Sequence, residues 1–291
     1  MKTRTSKRAF FLLTIPAAFL YGMFVILPIA MGFSYSFTDW DGISKEYNFV
    51  GAANYIALFK DTRTVNALGI TMWYTLLSVV IILVLSFLIA LLLNRNLRFR
   101  AAIKSIYFFP AVVSLVLVGM IFYNIYLVPL PEIGKALSID LLSRNLIASA
   151  DTALLAVLIP NIWQGIAIPL VIFSAGLASI PEEQLEAASI DGANGFRKTL
   201  YITLPYMIAS IQIVIVLLLR NGITTFDYIQ AITNGGPGFA TETIAQQIYQ
   251  NAFLKMKYSF SMAQSILLFV IMAVIAMVQI RLLNKKDVVS L

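Results

Sequence analysis

Six stretches of this chain, at 9–38, 64–94, 105–131, 152–181, 199–219 and 258–280, each run for more than twenty residues without one charged side chain. An α-helix rising 1.5 Å per residue needs ~20 apolar residues to cross the hydrocarbon core of a bilayer, so every stretch is long enough to span. The runs are continuously apolar, as in ILPIAMGF and LLSVVIILVLSFLIALLL, without the ~10-residue alternation of a membrane β-barrel. Lipid offers the backbone no hydrogen bonds, which leaves helices as the spanning structure. With 60% hydrophobic and only 12% charged residues, the expected class is an all-α integral membrane protein with six transmembrane helices. The first run has no short apolar core ending in a small-residue cleavage site, and it reads as a retained helix.

Basic residues resist translocation and collect on cytoplasmic loops. Thirteen fall on one side of the spans: Lys2, Arg4, Lys7, Arg8, Arg95, Arg98, Arg100, Lys104, Arg197, Lys198, Arg281, Lys285 and Lys286. Seven fall on the other, namely Lys45, Lys60, Arg63, Lys135, Arg144, Lys255 and Lys257, while Arg220 lies in the fifth span. Both termini and the loop 181–205 are therefore expected in the cytoplasm, with the chain a multi-pass protein of the cell membrane. Contact of these loops with anionic lipid accounts for the net charge of +7, and no nucleic-acid partner is implied.

Cysteine and histidine are both absent, which removes disulfides, thiolate chemistry, zinc sites and imidazole acid–base catalysis. The nearest approach to a phosphate loop, Gly192 to Thr199, places Arg197 where a second glycine must let the backbone curl, and no strand precedes it. The chain is expected to bind no cofactor or metal of its own, to carry no catalytic residues, and to draw energy from another polypeptide.

The loop 181–205, PEEQLEAASIDGANGFRKTLYITLP, is strongly polar between two apolar spans. Ser179 and Glu182 have capping-box spacing, Pro181 suits an early helical position, and acidic residues fill the first turns, so a helix is expected from Glu182 to Asp191. Gly192 ends it in a left-handed conformation, and Asn194 caps a second helix leading into the fifth span. By itself this elbow could be a plain connector.

The residues within it say more. Glu186-Ala187-Ala188, Gly192 and the closing Ile202-Thr-Leu204-Pro205 match the EAA signature of ABC-importer permeases, and Asp191-Gly192-Ala193 resembles the sugar permeases of the maltose and glycerol-phosphate type. Thr233-Asn-Gly-Gly-Pro-Gly238, with Thr241, Thr243, Ile248-Tyr249 and Ala252-Phe253, is similar to the first permease subunit of that type, and Trp163-Gln-Gly165 agrees. The resemblance implies a type I ABC-importer permease fold. It also implies a second, homologous permease, a cytoplasmic ABC ATPase dimer holding ATP and Mg, an extracellular solute-binding protein and a carbohydrate substrate. Glu186, Ala187, Ala188, Asp191, Gly192 and Pro205 would then form the ATPase-coupling surface. The implied layout is 1–65 as tail, first span and extracellular linker, 66–284 as permease core, and 285–291 as a cytoplasmic tail.

Polar residues deep in spans mark a substrate path. Span four holds Asn161, Trp163, Gln164 and Gly165 between Pro160 and Pro169, where prolines loosen the helix or serve packing. The resemblance places Trp163, Gln164 and Gly165 at the sugar site, with the indole as a stacking face. Asn221, Thr224, Thr225 and Tyr228 fall at i, i+3, i+4 and i+7, one helical face that could bind hydroxyls. Arg220 either snorkels, pairs with Asp227, or receives an anionic substrate group; an oligosaccharide is expected, with an acidic sugar as a variant. Tyr123 and Asn124 fit either a site or an interfacial aromatic belt. The turn Asn234 to Gly238 is either a docking point for the binding protein or a simple tight turn. An ion-coupled secondary transporter is the other functional class, although Asp227 is the one acidic residue near a span interior. A membrane scaffold is a third.

Overall fold

A computed structural model describes residues 4–94, 98 and 100–287; Lys2 and Arg95 of the charge tally, and 288–291 of the expected tail, lie outside the described residues. Among the described residues five helices are long and apolar enough to cross a membrane: Thr14–Tyr35, Thr62–Leu93, Leu115–Ala136, Ala150–Ala178 and Tyr258–Arg281. A sixth span is made by two helices, Gly195–Tyr206 and Ile208–Ile223, bent by 69°.

Two of the expected spans are thus interrupted. The run 105–131 was expected as one helix, but it divides at Pro110 into a short helix, Arg100–Phe108, one 3-10 turn, Phe109–Val112, and a new helix, Leu115–Leu127. Pro110 ends the α-helix at Phe108, because a proline donates no backbone hydrogen bond and its ring crowds the preceding turn, and Val113 and Ser114 beyond the 3-10 turn are extended. The run 199–219 was likewise expected as one spanning helix. It opens as a π-helical turn, Thr199–Thr203, ahead of Pro205, and the axis breaks at Met207. A wider turn just before a proline eases the missing bond and ring clash, which a straight helix could not.

The chain forms two compact units: the described residues up to Val65 with Gln247–Ile271, and Asn66–Gln246 with the described residues from Met272. In the larger unit one core cluster joins Val79 and Ile82, Leu170 and Phe173, and Met207, Val214 and Leu218; Phe87 meets Phe173 edge-on at 5.5 Å. A second cluster gathers Tyr74, Val118, Tyr126, Val157 and Ile229. Without a hydrophobic drive between helices in lipid, small residues permit close packing. A side chain at Gly176 would collide with Ser210 and Met207, and one at Gly222 would lie 2.8 Å from Thr75. The hydroxyls of Thr71, Thr75 and Ser86 bond carbonyls four residues back in their own helix, so these polar residues mark no pore.

In the smaller unit the linker after the first span folds on itself through an antiparallel bridge between Thr38 and Phe49. Trp40 packs on Tyr35 at 4.4 Å and meets Tyr258 edge-on at 5.2 Å, while Thr38 Oγ1 bonds Ser259 Oγ at 2.9 Å. Asp41 accepts from the Ser44 hydroxyl and from the amides of Ser44 and Ile43, and these bonds hold its carboxyl down at about 2.

Candidate functional site

The larger unit encloses a cavity of about 390 Å³. Eight of the nine residues expected to meet substrate line it: Gln164, Gly165, Arg220, Asn221, Thr224, Thr225, Asp227 and Tyr228. Trp163 is not among the walls; it is 45% exposed and packs on Phe122 at 6.0 Å. Consecutive residues on a helix point about 100° apart. Gln164 and Gly165 face the cavity, and Trp163, on the other side of Gln164, is carried off it, so its indole does not line this cavity.

Gln164 is 7% exposed and braces three elements. Its Nε2 donates to Pro110 O at 2.9 Å and Val113 O at 2.7 Å, and its Oε1 accepts from Tyr228 Oη at 2.6 Å. The two carbonyls belong to the interrupted segment 110–114, where Pro110 O also accepts from Val113 N at 3.2 Å. The amide therefore repairs the break that Pro110 creates, as backbone at membrane depth requires. Both its donors are spent, leaving one acceptor lone pair for a ligand.

The expected polar face at Asn221, Thr224, Thr225 and Tyr228 is not one helix. The helix ends at Ile223, with Thr224 as its cap, and Thr225 and Phe226 separate it from the next helical segment, which Asp227 and Tyr228 open. Gly222 packs against Thr75 at the end of this helix, and the Thr225 carbonyl is held by Thr243 Oγ1 at 2.8 Å. The four side chains converge on the cavity from one helix end, the short break after it and the start of the next helix. Arg220 and Asp227 both line it, and among the described residues no ion pair joins them. Arg220 is exposed and Asp227 half-buried. Asn161 was singled out only as a polar residue of span four; it also lines the cavity, and its Oδ1 is buried with no hydrogen-bond partner.

The elbow forms with one change of detail. Its first helix covers Glu182–Ile190, but Ser179 does not cap it; the Ser179 hydroxyl donates instead to Gly176 O at 2.7 Å, closing the preceding helix, because Pro181 has no amide to offer and sits extended. At the far end Gly192 has φ +78°, and Ala193 N donates to Ala188 O at 2.9 Å, a Schellman closure. Asn194 caps the next turn through Arg197 N at 2.9 Å. Leu185 and Ala188 face the span bundle, which leaves Glu186, Ala187, Asp191 and Gly192 exposed. Pro205 lies beyond the elbow, where the fifth span starts to bend. Three apolar residues that sequence reasoning passed over share the exposed surface: Ile190 is 87% exposed, Phe196 75% and Tyr201 73%. The signal was present, since apolar side chains interrupt an otherwise polar loop.

Residues 82–286 match the family model described as "Binding-protein-dependent transport system inner membrane component". The multiple sugar-binding transport system permease protein MsmF of Streptococcus mutans is 36% identical over 91% of this chain and 92% of its own length. The sn-glycerol-3-phosphate transport system permease protein UgpA of Agrobacterium fabrum is 28% identical over 95% of this chain and 94% of its own. Among solved structures, a chain of a bacterial ABC transporter involved in the import of the acidic polysaccharide alginate superposes with a TM-score of 0.84, covering 96% of both chains at 20% identity. That likeness shows the fold, a type I ABC-importer permease. A chain of the bacterial alginate ABC transporter in complex with alginate pentasaccharide-bound periplasmic protein gives a TM-score of 0.80 at 19% identity, covering 94% of this chain and 93% of that one.

Proposed function

The chain belongs to the family of binding-protein-dependent transport system inner membrane components, and from that premise we propose that it is a permease subunit carrying an oligosaccharide inward through an ATP-driven importer. The observation that carries this reading is the pairing of two features in one chain: a polar cavity between spans, and an exposed helical elbow that holds no nucleotide motif. Substrate would enter the cavity between span four and the broken end of span five. Asn161, Asn221 and the threonine hydroxyls offer hydrogen bonds there, and Arg220 offers a charge for an acidic sugar.

The elbow would dock on a cytoplasmic ATPase subunit, which holds ATP and Mg. Glu186 supplies a charge-assisted bond, while Ile190 and Phe196 fill apolar hollows. The bend at Met207 then lies between the elbow and the cavity-lining end of the same span, so movement of the elbow would reach the site through one element. Partners under this reading are a second, homologous permease, an ATPase dimer and an extracellular solute-binding protein. Both termini and the elbow would be cytoplasmic, in accord with the basic-residue tally. An ion-coupled transporter is the alternative that the experiment below separates from this reading.

Reconstitution of the complex in proteoliposomes tests the proposal. Sugar uptake should require ATP and the binding protein, and Glu186→Ala should abolish sugar-stimulated ATP hydrolysis while the chain still inserts. Uptake by this chain alone, driven by an ion gradient, would refute it.

A further inference from the structure

Between the short helix Arg100–Phe108 and the second half of span four, Ala167–Ala178, the larger unit carries a notch of about 100 Å³ that the transport reading leaves without a role. Lys104 and Phe108, one turn apart, form one wall. The other is Ala167, Leu170, Val171 and Ser174, which stand at i, i+3, i+4 and i+7 on one helical face. Ile103 of the short helix packs into the core cluster that contains Leu170, Phe173 and Leu177, and this packing holds the short helix beside span four.

Two polar groups line this otherwise apolar notch. Thr71, Thr75 and Ser86 turn their hydroxyls back onto their own helix, but the Ser174 hydroxyl makes no hydrogen bond among the described residues. The half-buried Lys104 has neither ion pair nor hydrogen bond among them. Both polar groups lie at the same end. Ser174 stands eight positions before Glu182, where the elbow begins, and Ala167 is seven positions deeper in the span, ~10 Å along the helix axis at 1.5 Å per residue. Lys104 is likewise a turn nearer than Phe108 to the basic start of its helix. A cation and a hydroxyl at the loop end, with apolar walls toward the bilayer interior, have the polarity of a lipid standing in one leaflet. Val171 is 51% exposed and Phe108 42%, so the notch opens sideways along the span. Its volume is below the ~300 Å³ at which pockets begin to enclose a soluble ligand, whereas a lipid needs to lodge only part of itself.

We propose that this notch binds a phospholipid with an anionic headgroup, its phosphate met by Lys104 and Ser174 and the first methylenes of an acyl chain laid against Phe108, Leu170 and Val171. Charge complementarity selects the anionic class, because the ammonium has three donors and no carboxylate beside it among the described residues. The basic-residue tally puts this end of the notch at the cytoplasmic leaflet, where anionic lipids collect.

Photolabelling of the complete transporter in nanodiscs tests it, with phosphatidylglycerol carrying a diazirine near the headgroup end of one acyl chain and, separately, phosphatidylcholine carrying the same label. Peptide mass spectrometry should find phosphatidylglycerol adducts within 104–108 and 167–174, well above those of phosphatidylcholine. Lys104→Gln should cut them by about fivefold, which is what ~1 kcal/mol for one lysine at an anionic surface amounts to. Lys104→Arg should keep them near the wild-type level, and this pair separates loss of the charge from loss of the fold. Equal labelling by the two lipids, or labelling unchanged in Lys104→Gln, overturns the proposal. So does displacement of the adducts by inorganic phosphate, which would make the notch a site for a soluble anion. Absence of adducts from both segments with either lipid overturns it as well, and is the result expected if a partner subunit covers the notch. Labelling needs no sugar, ATP or binding protein, so failure of the transport reading would leave these results unchanged.

Discussion

Replacing Gln164 by Leu separates a structural brace from a substrate contact. The substitution leaves an apolar side chain one atom shorter and removes three hydrogen bonds, to Pro110 O, Val113 O and Tyr228 Oη. Interhelical bonds in membranes average ~0.6 kcal/mol, and intramolecular bonds in proteins run to ~1.5 kcal/mol, so three come to about 2–4.5 kcal/mol. The loss falls chiefly on Val113 O, since Pro110 O keeps its bond from Val113 N at 3.2 Å. Tyr228→Phe removes one of the three and should cost about a third as much. Since both variants delete the same Tyr228–Gln164 bond, the double variant should fall short of additivity by roughly that bond's worth. Thermal unfolding of the detergent-solubilised chain, followed by tryptophan fluorescence, reads all three. A Gln164→Leu chain as stable as the wild type, with loss confined to sugar affinity, would refute the brace and return Gln164 to the role of ligand.

Arg220→Ala should reduce uptake of an acidic sugar by tenfold or more and leave a neutral one within a few-fold, because no ion pair ties Arg220 to Asp227; equal losses for both sugars, matched by Asp227→Ala, would point to a structural couple in transport assays. Gly192→Val meets no atom within 4 Å but forces a β-branched residue to φ +78°, at a cost of roughly 1–2 kcal/mol. The chain should insert normally and lose most sugar-stimulated ATP hydrolysis, with Gly192→Ala milder; full activity in Gly192→Val would remove the glycine from the coupling argument. The Asp41 carboxyl is depressed from 3.8 to about 2, chiefly by the Ser44 hydroxyl. A depressed carboxylate stabilises its turn above the ordinary value, and that contribution disappears as pH falls from 3.8 toward 2. Trp40 Nε1 donates to Ser44 O at 2.8 Å, so tryptophan emission should shift in that window and Asp41→Asn should abolish the shift; a midpoint at or above 3.8 would contradict it.

The sequence alone determined what depends on neighbours along the chain. Membrane class follows from run length and charge, and the elbow's second half from a glycine that tolerates positive φ and an asparagine that caps three residues on. The polar residues of spans four and five were legible as a group because few polar side chains enter lipid without use. Three things were decided only in tertiary structure. Prolines at 110 and 205 announce a weakness, but whether a helix bends, splits or runs on depends on which partner satisfies the backbone at the break, and for the carbonyl of Val113 that partner is Gln164, fifty-one residues away. Facing direction was another such case: Trp163 and Gln164 are adjacent in sequence, and only helix packing shows which one enters the cavity. The notch beside span four was invisible for the same reason, since its walls come from residues near 104 and 170 whose meeting no local pattern encodes. Local conformational preferences act over a turn or two, whereas the pairing of buried polar groups is a property of the folded chain.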